Sequence, residues 1–293
     1  MTESFSLSIA GLRFSVRSES GYEVEHPDAL YRPFLNAEFP SDLLMNVMIS
    51  AEPEPDWSSQ EILFDTGEAW TAYRLENGIG IYFPYSKDPG FLWTAQLSEN
   101  FDQVTVHCSS LMITENNRIA NPVHYPLDQI LAMFHFSAHR GLIVHAAGIA
   151  RGDIGVFCAG RSGAGKTTLM RQWKDVSGIR GLSDDRIVVR EIDGAFRFFG
   201  TPWAGEGRVA AYGDVALKAL AFIHHGSENC IRPISPASAL KQLMPTSSIL
   251  WFDRSSLEKN LSFCHDLVET IPAFEIHCRP DPSAADLIDQ LLS

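Results

Sequence analysis

Residues 155–173, GVFCAGRSGAGKTTLMRQW, join an apolar strand-like run to a glycine-rich turn and then to a helical stretch. Gly160, four further residues and then Gly165-Lys166-Thr167 reproduce the phosphate-loop spacing G-x-x-x-x-G-K-[ST]. Such a loop works because successive backbone N–H groups and a helix N-terminus converge on one anion. Gly160, Gly163 and Gly165 let the main chain approach oxygens that a Cβ would keep away. Lys166 brings a mobile positive charge to the β and γ phosphates, and Thr167 is placed to ligate Mg²⁺. Arg161, Ser162, Ala164 and Thr168 complete a nucleotide cradle over Gly160–Thr168. The competing reading is a glycine-rich turn between strand and helix that carries a surface lysine.

Working outward, the next acids are Asp184 and Asp185 in GLSDDRIVV, one helix after the loop. A phosphate-bound Mg²⁺ takes a carboxylate from the end of a neighbouring strand, and a doubled acid allows a second task, removing the proton of an attacking hydroxyl. An acidic turn between two strands is the plainer alternative. His145 stands in the strand-like LIVHAAG, as a core histidine or as a helper of the acids. Glu206, in the bend GTPWAGEG, is either a second acid on the metal side or a solvated loop residue. Arg208 and Arg279 are candidates for neutralising transferred charge.

Before the loop, LDQILAMFHFSA places Leu127, Ile130, Leu131, Phe134 and Ala138 on one helical face, entered through Pro126 and ended near Gly141. LIVHAAGIA and IGVFCAG read as two strands joined at Arg151-Gly152-Asp153, a triplet that turn chemistry explains without invoking adhesion. After the acids, AFRFFG is a strand, SPASALKQLM and SSLEKNLSFCHDLVETI are helices, AFEIHC is a late strand and PSAADLIDQLLS a terminal helix. Residues 1–125 read instead as an antiparallel β domain of short strands. FSLSIAGLRFSV alternates around Ala10-Gly11, and Asn77-Gly78 separates two further runs. AEPEPDWSS is a loop. The expected organisation is thus a β-rich domain over 1–125, of unassigned role, followed by a nucleotide-binding α/β domain over 126–293.

The 293 residues carry 23 Lys and Arg against 36 Asp and Glu, a formal charge of −13, which argues against nucleic acid or an anionic membrane as the main partner. No run approaches the length of a membrane-spanning helix, and the start MTESFSLSIAGLRF lacks the layout of a signal peptide. Five cysteines without a C-x-x-C fit reduced thiols in a cytoplasmic protein.

LIVHAAGIA, CAGRSGAGKTT and GLSDDRIVV, in this order and spacing, resemble the HPr serine kinase/phosphorylase family, which is related to phosphoenolpyruvate carboxykinases. The similarity is greater to bacterial HPr-kinase-like offshoots associated with peptide modification. It covers roughly residues 140–210, and AFEIHCRPDPSAADLIDQL also resembles the C-terminal end of those offshoots. The resemblance implies a P-loop kinase core that uses ATP and Mg²⁺ to phosphorylate serine in a peptide or small protein. It gives His145 the part of assisting the catalytic acid, Lys166 that of the phosphate-binding lysine, and Asp184 and Asp185 those of general base and metal-side acid. Thr167, Asp185 and, more loosely, Glu206 become the metal ligands. Because true HPr kinases are hexameric, it also implies a homo-oligomer. The family's RG-x-G-I segment is replaced here by GTPWAGEGR, so the expectation excludes a commitment to HPr as acceptor or to the reverse phosphorolysis. A non-catalytic nucleotide-binding module and a small-molecule kinase are the alternatives.

Overall fold

The computed structural model describes residues 3–19, 22–35, 43–50, 55–67, 69–84, 91–160, 178–279 and 285–292. The expected cradle residues Arg161–Thr168, and with them Lys166 and Thr167, lie outside the described residues. Contacts divide the chain into two compact units, Met1–His135 and Phe136–Ser293, with the division falling inside helix α1 (Leu127–Ala138). Both units are built on large sheets, and helices are few, so the architecture is mixed α/β.

In the first unit an eight-stranded sheet runs in the order β1-β2-β4-β9-β8-β7-β6-β5. Its strands are β1 (Glu3–Ile9), β2 (Leu12–Ser18), β4 (Leu43–Ser50), β5 (Ile62–Asp65), β6 (Thr71–Leu75), β7 (Gly78–Pro84), β8 (Phe91–Leu97) and β9 (Gln103–Cys108). A small parallel pair, β3 (Glu23–Val24) with β10 (Arg118–Ile119), stands apart from it. The β1–β2 turn places Ala10 and Gly11 at φ of 50° and 79°, the primed-turn geometry that matches strand twist. The expectation of an antiparallel domain holds for β1 with β2 and for β5 to β9 but fails at β4, which pairs with both β2 and β9 in parallel. Tight turns make antiparallel neighbours, whereas these partners are separated by long connections, whose direction no local signal announces.

The second unit also carries an eight-stranded sheet, whose main path runs β12-β11-β14-β15-β16-β18-β17, with β13 attached to β11. Its strands are β11 (Gly141–Arg151), β12 (Ile154–Ala159), β13 (Ile179–Ser183), β14 (Arg186–Ile192), β15 (Ala195–Phe199), β16 (Asp214–His225), β17 (Cys230–Ile234) and β18 (Ala273–Cys278). β12 also pairs with β16 in parallel, so the path from β12 through β11, β14, β15 and β16 returns to its start.

Strand alternation sends side chains to two cores. Phe157 and Ala159 of β12 join Leu142, Val144 and Phe198 on one side, together with Ala239 and Leu243 of α2 (Pro236–Leu243) and Phe263 and Leu267 of α3 (Arg254–Thr270). Val156 and Cys158 join Ala147, Ile149 and Ile276 on the other, with Ile288 and Leu292 of α4 (Ala285–Leu292). Side-chain caps start two of these helices: Ser235 accepts from the Ser238 N–H, and Asp253 from the Ser256 N–H at 2.8 Å. The face expected of α1 is buried at Leu127, Ile130, Leu131 and Phe134. Ala138 is exposed, because the last turn also buries Phe136 and His135.

The closed path leaves little room inside. Phe198, fully buried, lies over two glycines: a Cβ on Gly148 would come 2.7 Å from its ring, and one on Gly155 would come 2.6 Å from it. A Cβ on Gly155 would also come 2.6 Å from the Ile149 carbonyl oxygen, an atom of the ladder that cannot swing away. Gly155→Ala should therefore destabilise the chain by about 1–3 kcal/mol in urea unfolding, the range for overpacking. Adding Phe198→Leu should recover only part of the loss, since the ring can yield but the carbonyl cannot.

Candidate functional site

The site is assembled where β12 ends. The antiparallel ladder sets Ala146 opposite Ala159, so His145 and Gly160 are the next residues of β11 and β12 at the same edge. On its other side His145 pairs with Arg186, the first residue of β14. Register thus brings together Gly160, where the G-x-x-x-x-G-K-T stretch begins, His145, and the Asp184–Asp185 turn between β13 and β14. The three segments are distant in sequence and meet through two strand pairings.

The two acids have different surroundings. Asp185 is one-third exposed, and its Oδ1 lies 2.9 Å from His145 Nε2. Its Oδ2 lies 3.6 Å from Arg186 Nε. Asp184 is 3% exposed and accepts three backbone N–H groups, from Gly205 at 3.0 Å, Gly207 at 2.6 Å and Val209 at 3.2 Å. A buried carboxylate held by three amides is a loop anchor, and both of its oxygens are committed. Adjacent residues at a strand end point to opposite sides, and of this pair Asp185 is the one that faces His145.

The anchored segment is the bend that carries Glu206 and Arg208, both exposed. It is glycine-rich because it is pressed onto the acids. A Cβ at Gly205 would lie 3.0 Å from Asp185 Cβ, and one at Gly207 would lie 2.6 Å from Asp184 Oδ2. The backbone on either side of Glu206 is therefore tied to Asp184. Arg279 follows β18, which runs parallel to β16 as β16 does to β12, so it emerges at the same end of the sheet as Gly160, two strands away.

Three supporting residues escaped sequence reading. Ser183, fully buried, accepts from the N–H of Arg186 at 3.2 Å and fixes the turn that presents Asp185. Thr201 donates to the Arg186 carbonyl at 2.5 Å, tying the next strand connection to the same turn. Arg186 itself looked like an ordinary strand residue. A serine directly before two acids is a turn signal, but nothing in the sequence pairs it with residue 201.

Burial pushes the thiols of Cys108 and Cys264 up to about 12 and that of Cys158 higher still, which makes these three poor nucleophiles. Among the described residues no cluster of three or more His, Cys, Asp or Glu is arranged to hold a metal, and no helix is long and apolar enough to cross a membrane.

No family model and no curated protein matches the chain. Among solved structures the chain is similar to the HPr(Ser) kinase/phosphatase from Coxiella burnetii, with a TM-score of 0.32 and 12% identity over 51% of this chain and 87% of that one. At that level the likeness carries no argument, and the reading that follows rests on this chain's own residues.

The anchoring by Asp184 can be measured directly. Asp184→Asn leaves one oxygen acceptor where there were two and removes the charge, a loss of about 1–3 kcal/mol for hydrogen bonds to a charged group. Amide exchange at Gly205, Gly207 and Val209 should accelerate about 5- to 150-fold, while Val188 in the middle of β14 should be unchanged.

Proposed function

We propose that the chain is a kinase that transfers the γ-phosphoryl group of ATP, with Mg²⁺, to a hydroxyl, that of serine or threonine in a peptide or small protein. One observation carries the reading: the His145–Asp185 pair, at 2.9 Å, stands where β12 runs at Gly160 into the phosphate-loop sequence. A module that only held a nucleotide would have no use for an oriented, solvent-reachable carboxylate at that edge.

In this reading Asp185 is the general base. His145 donates from Nε2 and fixes the orientation of the carboxylate, and Arg186 lies against its other oxygen. The acceptor oxygen forms a bond to the γ-phosphorus as the bond to the β–γ bridging oxygen breaks. The electron pair leaves on ADP, and the hydroxyl proton passes to Asp185. Asp184 acts one step back, by holding the 205–209 bend against Asp185.

The donor set suits Mg²⁺, which asks for one or two carboxylates, takes its remaining oxygens from phosphate and water, and needs no all-protein cage. Glu206 and Thr167 would hold it, and it would neutralise charge on the transferring group. Lys166 supplies the cation on the β and γ phosphates.

The assay is transfer of labelled γ-phosphate from ATP to a pool of serine- and threonine-containing peptides and small hydroxylated compounds. Asp185→Asn should bind Mg·ATP normally by calorimetry and lose about 10²–10⁴ in turnover, or roughly 3–5 kcal/mol of barrier. Lys166→Ala should lose most nucleotide affinity and all transfer. Transfer at the wild-type rate by Asp185→Asn would remove the base assignment, and ATP binding without transfer to any acceptor would make the chain a binding module.

A further inference from the structure

The unit Met1–His135 contributes none of the residues discussed above, yet it carries a built recess. The recess has a volume of about 370 Å³, opens to solvent, and is lined by Pro55, Asp56, Trp57, Ser58, Tyr73 and Tyr82. Ladder register places Tyr73 opposite Gly80 and Tyr82 opposite Thr71, so both tyrosines stand on one face of β6 and β7. The third ring is admitted by the missing side chain at Gly80, where a Cβ would come 2.8 Å from the Trp57 indole. Trp57 therefore rests directly on the β7 backbone, with its ring centre 5.9 Å from that of Tyr73. All three rings are partly exposed, and Asp56 at the rim is exposed.

Of the residues that line the recess, Asp56 is the charged one, and the described stretch 55–67 adds Glu61 and Asp65 with no lysine or arginine. Arg74, on the neighbouring strand, is engaged by Glu61 at 2.8 Å. Hydrogen bonds from Ser58 hold the Asp56 carboxyl below the usual carboxylate range, so it is charged at neutral pH. Aromatic faces attract cations, and a carboxylate at the rim adds a directed counter-charge. An anionic ligand would be repelled, and a neutral one would gain nothing from the acids.

The opening decides between a free cation and one carried on a chain. Small-molecule sites enclose most of their ligand, which a recess open on one side does not. Beside it, β5 is the last strand of the described sheet and exposes Ile62 (57%) and Phe64 (39%), apolar surface suited to the residues flanking an inserted side chain. We infer that this recess binds the arginine or lysine side chain of a polypeptide segment. The inference does not depend on the kinase reading.

The test uses the full chain and three probes: a fluorescent nonapeptide of Gly, Ser and Val with one central arginine, the same peptide with citrulline, and choline. Citrulline keeps the shape of arginine and removes its charge. The arginine peptide should bind, and the citrulline peptide should bind at least tenfold more weakly. Tyr73→Ala should abolish the difference between them. Asp56→Asn, at an exposed position where folding is not at stake, should weaken the arginine peptide several-fold and flatten its salt dependence. Equal behaviour of the arginine and citrulline peptides, including no binding by either, overturns the inference. So does an Asp56→Asn variant that binds as the wild type does, or choline binding more tightly than the arginine peptide.

Discussion

The second unit depends on β12 being paired along both of its edges, antiparallel to β11 and parallel to β16. A strand held on both sides cannot shift register without moving both neighbours, and a one-residue slip would exchange the two cores. Phe157 and Ala159 would leave the core shared with α2 and α3, and Val156 and Cys158 the one shared with α4. Gly160 is therefore delivered to one place at the sheet's edge. The same ladder that fixes it fixes His145 beside it.

Around that edge the structure resolves two chemically identical neighbours by burial. Asp184 turns inward and satisfies three backbone amides that a tight, glycine-rich bend could not pair within itself. Asp185 turns outward, to a histidine and to solvent. Gly205 and Gly207 are small because the bend is in contact with both acids. Adjacent residues of the same type are in this way given different surroundings, one buried among amides and the other beside an imidazole.

The first unit shows the same use of a missing side chain for another purpose. Gly80 admits an indole onto a strand backbone, and the acidic segment that delivers the indole sets the sign of the surface around it. The chain's formal charge of −13 is thus unevenly distributed in sequence, with six acids and no base between 52 and 68. The stretch Pro55–Ser58, unremarkable as a connection, becomes one wall of a recess once β6 and β7 supply the facing rings.

The sequence alone determined the features that local chemistry encodes. Ala10-Gly11 and Asn77-Gly78 marked turns, the apolar periodicity from Leu127 marked a helix, and Ser-Asp-Asp between two apolar runs marked a strand–turn–strand, and all of these are present. It also singled out His145 and Asp185, which the second unit brings into contact at the end of β12. Tertiary structure decided what pairing over long separations controls: the parallel joins of β2 with β4 and of β4 with β9, the closure of β12 onto β16, and the partners of each acid. The reason is the same in each case. Turn residues and periodicity act over a few positions, whereas the direction of a distant strand and the side to which a carboxylate turns depend on atoms some 20 or more residues away, such as the Gly205 and Gly207 amides that bind Asp184.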